Sequence, residues 1–181
     1  MELCIKMILG GIKVKKFLSL GALVMFLMLV ATGCGSSVGT ATDGSEVAIE
    51  KAAITFVNHT IEGGYDLVSI DELNGWMKDG KDMIIIDTMP ADSYADGFIP
   101  TAVNAVQPMA MADLTDAERS AFVAQLGDDK DKDIVIYCGF VGCARSHVGA
   151  VVAKEEGFNN VYRLPGGIVA WKEAKYDVEK K

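Results

Sequence analysis

Histidine and cysteine, the usual ligands of structural zinc, are scarce in this sequence. It has two histidines and four cysteines among 181 residues. Cys138 and Cys143 are separated by four residues, which is not a zinc-site spacing, and no second Cys/His pair is available to complete four ligands. The composition therefore predicts no structural metal site, and no cofactor is expected.

Positive charge is also in short supply. The chain has 17 basic and 25 acidic residues, a net charge of −8. An acidic surface argues against nucleic acid as a partner, and against binding of anionic lipid by the protein surface itself.

The N-terminal part of the sequence contains a hydrophobic run, but a short one. The uncharged apolar segment Phe17 to Ala31 has 15 residues, whereas a membrane-spanning helix needs roughly 20. Lys13, Lys15 and Lys16 precede it, and small residues follow it. A basic stretch, a short apolar stretch and a small-residue cleavage site indicate a secretory signal. An uncleaved anchor helix or a buried core helix is the alternative interpretation.

The cleavage site, Ala31-Thr-Gly-Cys34, resembles the bacterial lipoprotein signal, in which the cysteine is acylated and becomes the mature N-terminus. The resemblance implies that residues 1–33 are removed and that lipid on Cys34 anchors the protein to a membrane, outside the cytoplasm in the cell envelope. Ser36 is compatible with sorting to the outer membrane of a diderm bacterium. The mature chain would have 148 residues, 13 basic and 24 acidic, which is enough for one domain.

The mature part divides into a tether, a helix and a domain. Residues 34–45 are rich in Gly, Ser and Thr and indicate a flexible tether. Apolar residues then recur at helical spacing, which predicts a helix from Glu46 to about Asn58, packed against the domain, with a turn completing the region 46–64. Residues 65–181 form the single domain. The apolar positions of the helix are Val47, Ile49, Ala53, Phe56 and Val57.

Strands and helices alternate through the domain, which predicts an α/β fold with a parallel sheet and helices on both faces. Capping-box spacings begin helices after Ser69 and after Thr115. The later helices run from Ser146 to Glu156 and around Trp171, and one helical turn is expected at Ala91 to Ala95. The predicted strands are Asp66–Ser69, Met83–Asp87, Ala102–Val106, Ile134–Tyr137 and Asn160–Leu164.

Cys138 stands where the apolar strand Ile134–Tyr137 runs into a glycine-containing turn that opens a helix. Backbone N–H groups and the positive end of a helix dipole surround a thiol in that place. Such surroundings favour the thiolate, which is the reactive form.

Three segments of the domain occur in one order along the chain. They are Ile84-Ile-Ile-Asp-Thr-Met-Pro with Tyr94, Gly97-Phe-Ile-Pro100 and Ala102-Val-Asn104; Val135-Ile-Tyr-Cys138 with Arg145-Ser146; and Asn160-Val-Tyr with Leu164-Pro-Gly-Gly167 and Ala170-Trp171. Together they resemble the rhodanese-like (sulfurtransferase) family, over roughly Asp66 to Lys175. The resemblance implies a Cys138 nucleophile that carries sulfane sulfur as a persulfide, taken from thiosulfate, polysulfide or a protein persulfide.

The chain departs from the family pattern at three places. Met89 stands where the family usually has Arg, and Phe98 where it usually has His. Six residues separate Cys138 from Arg145, whereas the family loop has four and related phosphatases have five. The loop is thus longer than in either group, and it contains a second thiol, Cys143.

Candidate roles can be assigned to the residues in and around this loop. Cys138 and Arg145 are the candidate catalytic residues, although Arg145 has the alternative role of pairing with Asp87. Ser146 is expected to cap the helix, and His147 is either a proton-transfer group or a packing residue. The substrate-binding loop comprises Gly139, Phe140, Val141, Gly142, Cys143 and Ala144, whose amides would stabilise an anionic intermediate.

Cys143 has three possible roles. It can resolve a Cys138 persulfide or sulfenate by forming a disulfide, it can relay sulfur, or it can fill space as a small buried side chain.

Three functions remain open from the sequence. The first is sulfur transfer through Cys138, with a small sulfur anion, or a protein thiol or persulfide, as partner. The second is a non-enzymatic binding module of an envelope or electron-transfer complex, and the third is a dithiol-disulfide oxidoreductase that uses Cys138 and Cys143. Phosphatase or arsenate-reductase chemistry is disfavoured by the loop length.

Overall fold

The computed structural model describes residues 45–181, which form a parallel sheet with helices on both faces. The strands are β1 (Asp66–Leu67), β2 (Met83–Asp87), β3 (Val103–Asn104), β4 (Asp133–Tyr137) and β5 (Val161–Leu164). The helices are α1 (Glu46–Gly63), α2 (Ile70–Lys78), α3 (Ala91–Ala95), α4 (Asp116–Leu126), α5 (Arg145–Glu155) and α6 (Gly167–Glu173), with a 3-10 turn at Met111–Asp113.

The strand order is β1-β5-β4-β2-β3, and every pairing is parallel. The long strands β2 and β4 run side by side in register, with Met83 opposite Asp133 and Asp87 opposite Tyr137. β4 is central, so the loop that follows it leaves the carboxyl end of the sheet between two flanking strands. Ligands bind at that edge of open parallel sheets.

Alternate residues of β4 enter two separate hydrophobic clusters, because successive side chains of a strand point to opposite faces. Val135 and Tyr137 pack with residues of α2, α3 and α6, including Leu73 and Trp171. Ile134 and Ile136 pack on the other side with residues of α4 and α5, such as Phe122. Both faces of the sheet are therefore covered, as the continuous apolar runs of the sequence predicted.

The helix caps that the sequence predicted form in the domain. Thr115 caps α4 in a full capping box with Glu118. The Ser69 side chain accepts the Glu72 amide at the start of α2. The strands Met83–Asp87 and Val161–Leu164 lie within a residue of their predicted bounds.

The first helix differs from its prediction in length and in orientation. It extends to Gly63, beyond Asn58, and Gly64 ends it with φ +60°. The half-buried face carries Phe56 and His59, whereas Val47 and Val57 are exposed. The helix packs against the domain as predicted, through Phe56 and His59. The other apolar positions that indicated the helix are exposed: Val47, Ile49, Ala53 and Val57. Helical spacing alone did not identify the contact face, because apolar side chains occur around most of this helix.

No helix within residues 45–181 combines the length and apolar character that a membrane span requires. The predicted signal at 1–33, lipidated Cys34 and nearly all of the tether 34–45 lie outside the described residues.

Candidate functional site

Cys138 directly follows β4, and α5 begins seven residues later at Arg145. The start of α6 holds the first part of the intervening loop. The amide of Ile168 donates to the Cys138 carbonyl at 3.0 Å, and the amide of Val169 donates to the Gly139 carbonyl at 3.0 Å. Gly167 makes this approach possible, because it has φ +56° and a Cβ there would overlap the Cys138 carbonyl oxygen.

Cys138 and Cys143 form a disulfide, with their Cα atoms 6.2 Å apart. Cys138 is 1% exposed and Cys143 is 5% exposed. The Met89 side chain covers Cys138, since the Met89 Sδ lies 3.6 Å from the Cys138 Sγ. In this oxidised state Cys143 is thus the slightly more exposed of the two residues.

The loop tip is exposed and turns back on itself. The Cys143 amide donates to the Phe140 carbonyl at 2.9 Å, while Phe140 and Val141 are 58% and 44% exposed. Within residues 45–181, the amides of Gly139, Phe140, Val141, Gly142 and Ala144 have no protein acceptor. Of the six expected anion donors in the loop, the Cys143 amide is thus occupied and the other five remain available.

Arg145 does not pair with Asp87, and that prediction is wrong. Arg145 Nη1 donates to the Gln107 carbonyl, and no ion pair among the described residues includes either side chain. The buried Asp87 carboxylate instead accepts the Met89 amide at 2.7 Å. Burial raises the pKa of Asp87, while the hydrogen bond from Met89 opposes the rise. Asp87 therefore shapes the turn after β2, next to the Cys138 strand.

Ser146 does not cap α5, which is also a correction. Ala144 occupies the N-cap position without a side-chain hydrogen bond, and Ser146 lies inside the first turn. Its Oγ accepts Arg163 Nε at 2.8 Å. Ser146 therefore supports a buried arginine and not the helix terminus.

Arg163 is a site residue that the sequence reasoning missed. It lies in β5 and is 1% exposed. Its Nη2 donates to the Cys143 carbonyl at 2.7 Å, and its Nη1 donates to the Tyr65 hydroxyl at 3.3 Å. The signal was present: a charged residue in the apolar strand Val161–Leu164 needs internal partners.

The two histidines of the chain lie together behind the loop. The rings of His59 and His147 stack with centroids 4.0 Å apart, and the Tyr65 hydroxyl lies 3.1 Å from His147 Nδ1. Burial, with the charges of His59 and Arg163, lowers the pKa of His147 to about 4. His147 is therefore neutral at pH 7 and packs inside the protein, consistent with the packing interpretation.

Phe98, at the position where the family has His, belongs to the core. Its ring stacks on Tyr94 with centroids 4.1 Å apart.

A cavity of about 190 Å³ lies between α1 and the Cys138–Arg145 loop. Cys143 lines this cavity and Cys138 does not. We call it the Cys143 cavity; its walls are Lys51, Ala52, Thr55, Phe56, His59, Val141, Gly142, Cys143, Ala144 and Arg163.

No group of three or more His, Cys, Asp or Glu side chains in the described part of the chain is arranged to hold a metal ion.

A cysteine placed between a buried parallel strand and a helix, at the carboxyl end of the sheet, is the arrangement on which the sequence resemblance rests. The family model for the rhodanese-like domain matches residues 69–174, more than half of the chain. The chain therefore belongs to the rhodanese-like family.

Curated relatives include a sulfurtransferase of Allochromatium vinosum, 29% identical over 104 residues, which covers 58% of this chain and 85% of the relative. Thiosulfate sulfurtransferase GlpE of Coxiella burnetii is 31% identical over 104 residues, covering 57% of this chain and 85% of the relative. These relatives support membership of a sulfur-transfer family.

Solved structures share the fold. A thiosulfate sulfurtransferase from Pseudomonas aeruginosa superposes with a TM-score of 0.56 at 20% identity, covering 71% of this chain and 23% of that one. The BH2092 protein from Bacillus halodurans has a TM-score of 0.52 at 24% identity, covering 68% of this chain and 83% of that one.

Proposed function

We propose that this protein is a sulfurtransferase that carries sulfane sulfur on Cys138 and releases it with the help of Cys143. The observation that supports the proposal best is the disulfide between these residues in the loop after β4, within the rhodanese-like match. A thiol next to the family's nucleophile position can react with whatever sulfur that nucleophile carries. The relatives named sulfurtransferases point to the same chemistry.

The first step starts from the reduced pair. The Cys138 thiolate attacks the outer sulfur of thiosulfate, a new S–S bond forms, and the bond to the sulfonate breaks. Sulfite leaves with the electron pair, and Cys138 is left as a persulfide. Loop amides that lack protein acceptors, together with the dipole of α5, stabilise the negative charge.

The second step uses Cys143. Its thiol sulfur attacks the Cys138 Sγ, and the terminal persulfide sulfur leaves as hydrosulfide with the thiol proton. The product is the Cys138–Cys143 disulfide. The sulfane sulfur is reduced and the two cysteines are oxidised, so the balance is complete.

A thiol or dithiol reductant then has to restore the pair. Its thiolate reaches Cys143 more readily, because that residue lines the cavity while Met89 covers Cys138. Attack on the Cys143 sulfur releases Cys138 as the leaving thiolate. A leaving group stabilised by a helix N-terminus departs faster.

The reaction takes place, in this proposal, on a lipoprotein of the cell envelope anchored through Cys34. The arrangement of Lys13 to Cys34 supports this part. Labelling with a fatty acid tests it: the wild type incorporates label, and Cys34→Ala does not. Equal labelling of both would overturn the anchor.

The central test is sulfur transfer by the reduced protein. With thiosulfate as donor and cyanide as acceptor, Cys138→Ser loses activity. Cys143→Ser retains transfer to cyanide and accumulates a Cys138 persulfide, visible in the intact mass as one extra sulfur. Activity in Cys138→Ser equal to the wild type would remove Cys138 as the carrier.

A second candidate function is dithiol-disulfide oxidoreduction, which the disulfide favours. In that case Cys138→Ser and Cys143→Ser both lose reductase activity, and neither protein gains a persulfide. Absence of both activities in the wild type would favour the third possibility, a binding module.

A further inference from the structure

Arg163 carries a buried charge that has no counter-ion within the described part of the chain. Among residues 45–181 it forms no ion pair, although it is 1% exposed. Its hydrogen-bond acceptors are neutral: the Ser146 hydroxyl, the Tyr65 hydroxyl and the Cys143 carbonyl. The Phe56 ring lies over the guanidinium, 4.7 Å away. Two of the five guanidinium N–H groups therefore have no protein acceptor in the described part of the chain.

An uncompensated buried charge is costly, so proteins normally pair it. No carboxylate within residues 45–181 pairs with Arg163. The Arg163 side chain does reach the wall of the Cys143 cavity. A small anion in that cavity would neutralise the charge without a change in the fold.

The other walls of the cavity suit an anion as well. Lys51 approaches from α1 as a second positive charge. Val141, Gly142 and Ala144 line the opposite wall, and their amides have no protein acceptor. Charge, hydrogen-bond donors and a partly enclosed space thus coincide at one place.

No acidic side chain within residues 45–181 lines the cavity. Glu62 acts on His59 and opposes the lowering of the His59 pKa by burial and by Arg163. His59 and His147 are neutral at pH 7 in these surroundings, so the positive charge of the cavity comes from Arg163 and Lys51.

We propose that the Cys143 cavity binds a small sulfur oxyanion of the thiosulfate and sulfite class, as the counter-ion of Arg163. The choice of a sulfur oxyanion rests on the proposed function, because sulfite is released there and thiosulfate is consumed. The geometric basis is independent of that function: a buried arginine, Lys51 and three amides around a cavity of about 190 Å³.

The position of the cavity gives the bound anion a specific consequence. Cys143 also lines the cavity, so an anion bound there would restrict the approach of reagents to this residue. A sulfur oxyanion would therefore slow reactions of Cys143 with outside reagents. Reduction of the disulfide would become sensitive to the concentration of donor or product.

The test uses Cys138→Ser protein, which cannot carry a persulfide, with sulfate and thiosulfate as probes. Its free Cys143 is alkylated with iodoacetamide at increasing probe concentration, with sodium chloride at matched ionic strength as reference. We expect saturable protection at millimolar sulfate or thiosulfate, and none with chloride.

Matched lysine variants identify the site. In the Cys138→Ser background, Lys51→Met should weaken the apparent affinity about fivefold, the effect expected of one largely exposed charge. Lys180→Met removes the same charge from an exposed residue outside the cavity and should leave the affinity unchanged. The comparison also cancels the general stabilising effect of sulfate on proteins.

Arg163→Met should abolish protection, and Lys51→Met keeps the test decisive if that buried variant fails to fold. Absence of saturable protection, or equal affinity in the Lys51→Met and Lys180→Met proteins, would overturn the anion site. Neither result depends on sulfur transfer, because Cys138→Ser is inactive in the proposed reaction. A failed transfer assay would accordingly leave this site standing.

Discussion

The Met89 Sδ lies 3.6 Å from the Cys138 Sγ and covers it from the side of β2. Met89 occupies the position where the family pattern usually has Arg. A polarizable apolar side chain therefore replaces a charged one next to the reactive sulfur. In the proposed reaction Met89 supplies no charge to stabilise a Cys138 thiolate, which leaves that task to the backbone of the loop and to α5.

Met89→Ala should make the reduced Cys138 more accessible. We expect alkylation of Cys138 to be about threefold to tenfold faster, because thiol reactivity follows access as well as thiolate content. The side chain is half-buried, so the free energy of unfolding should fall by about 1–2 kcal/mol, less than for a fully buried methionine. Met109→Ala, at an exposed position, is the control. An unchanged alkylation rate in Met89→Ala would show that Met89 does not shield the sulfur.

Gly167→Ala should destabilise the loop that carries Cys138. The substitution combines a positive φ with an overlap between the new Cβ and the Cys138 carbonyl. Gly64→Ala is the matched control, since its φ of +60° is similar and no atom lies within 4 Å of the added Cβ. Backbone strain should lower the free energy of unfolding of Gly64→Ala by about 1–2 kcal/mol. In Gly167→Ala it should fall by about 1–3 kcal/mol more, because the new Cβ also overpacks the loop.

Urea unfolding of the two glycine variants measures the difference. Because the Ile168 and Val169 amides also hold the Cys138 and Gly139 carbonyls, Gly167→Ala should reduce sulfur transfer as well. Equal unfolding free energies in the two variants would contradict the close packing of α6 on the loop.

His147 should make the protein less stable in mild acid. Its pKa is about 4 in the folded protein, below the ordinary value of 6.5, so between these values the unfolded chain binds the proton more readily. The contribution of neutral His147 to the free energy of unfolding is then fully present well above pH 6.5, and it is lost as the pH falls towards 4. From pH 7 to pH 5 the loss from this residue should be about 2 kcal/mol.

His147→Phe keeps a ring against His59 but cannot titrate. The difference in unfolding free energy between pH 7 and pH 5 should therefore be about 2 kcal/mol smaller in His147→Phe than in the wild type. His59, Tyr65 and Arg163 face the ring in both proteins, so their own titration largely cancels. An identical pH dependence would show that His147 protonates without cost.

Local patterns in the sequence were sufficient for most of the fold. The apolar runs of β2 and β4 and the capping box at Thr115 depend on neighbouring residues only, and they form where predicted. The position of Cys138 after β4 follows from the same reasoning. The sequence did not show which face of α1 packs against the domain. Apolar residues occur on most sides of that helix, and only the contact with the domain decides which of them are buried.

The sequence by itself determined a rhodanese-like α/β domain with Cys138 in the loop between a buried strand and a helix, since periodicity, caps and motif order are properties of the chain. Only the tertiary structure decided the partners of the charged and polar groups. It placed the Arg145 guanidinium at the Gln107 carbonyl and the Ser146 hydroxyl at Arg163. It also placed the buried Arg163 charge at the Cys143 carbonyl, with no ion pair to it from residues 45–181. Those pairings join residues far apart in the chain, and the burial that makes each one necessary exists only after the strands and helices have packed.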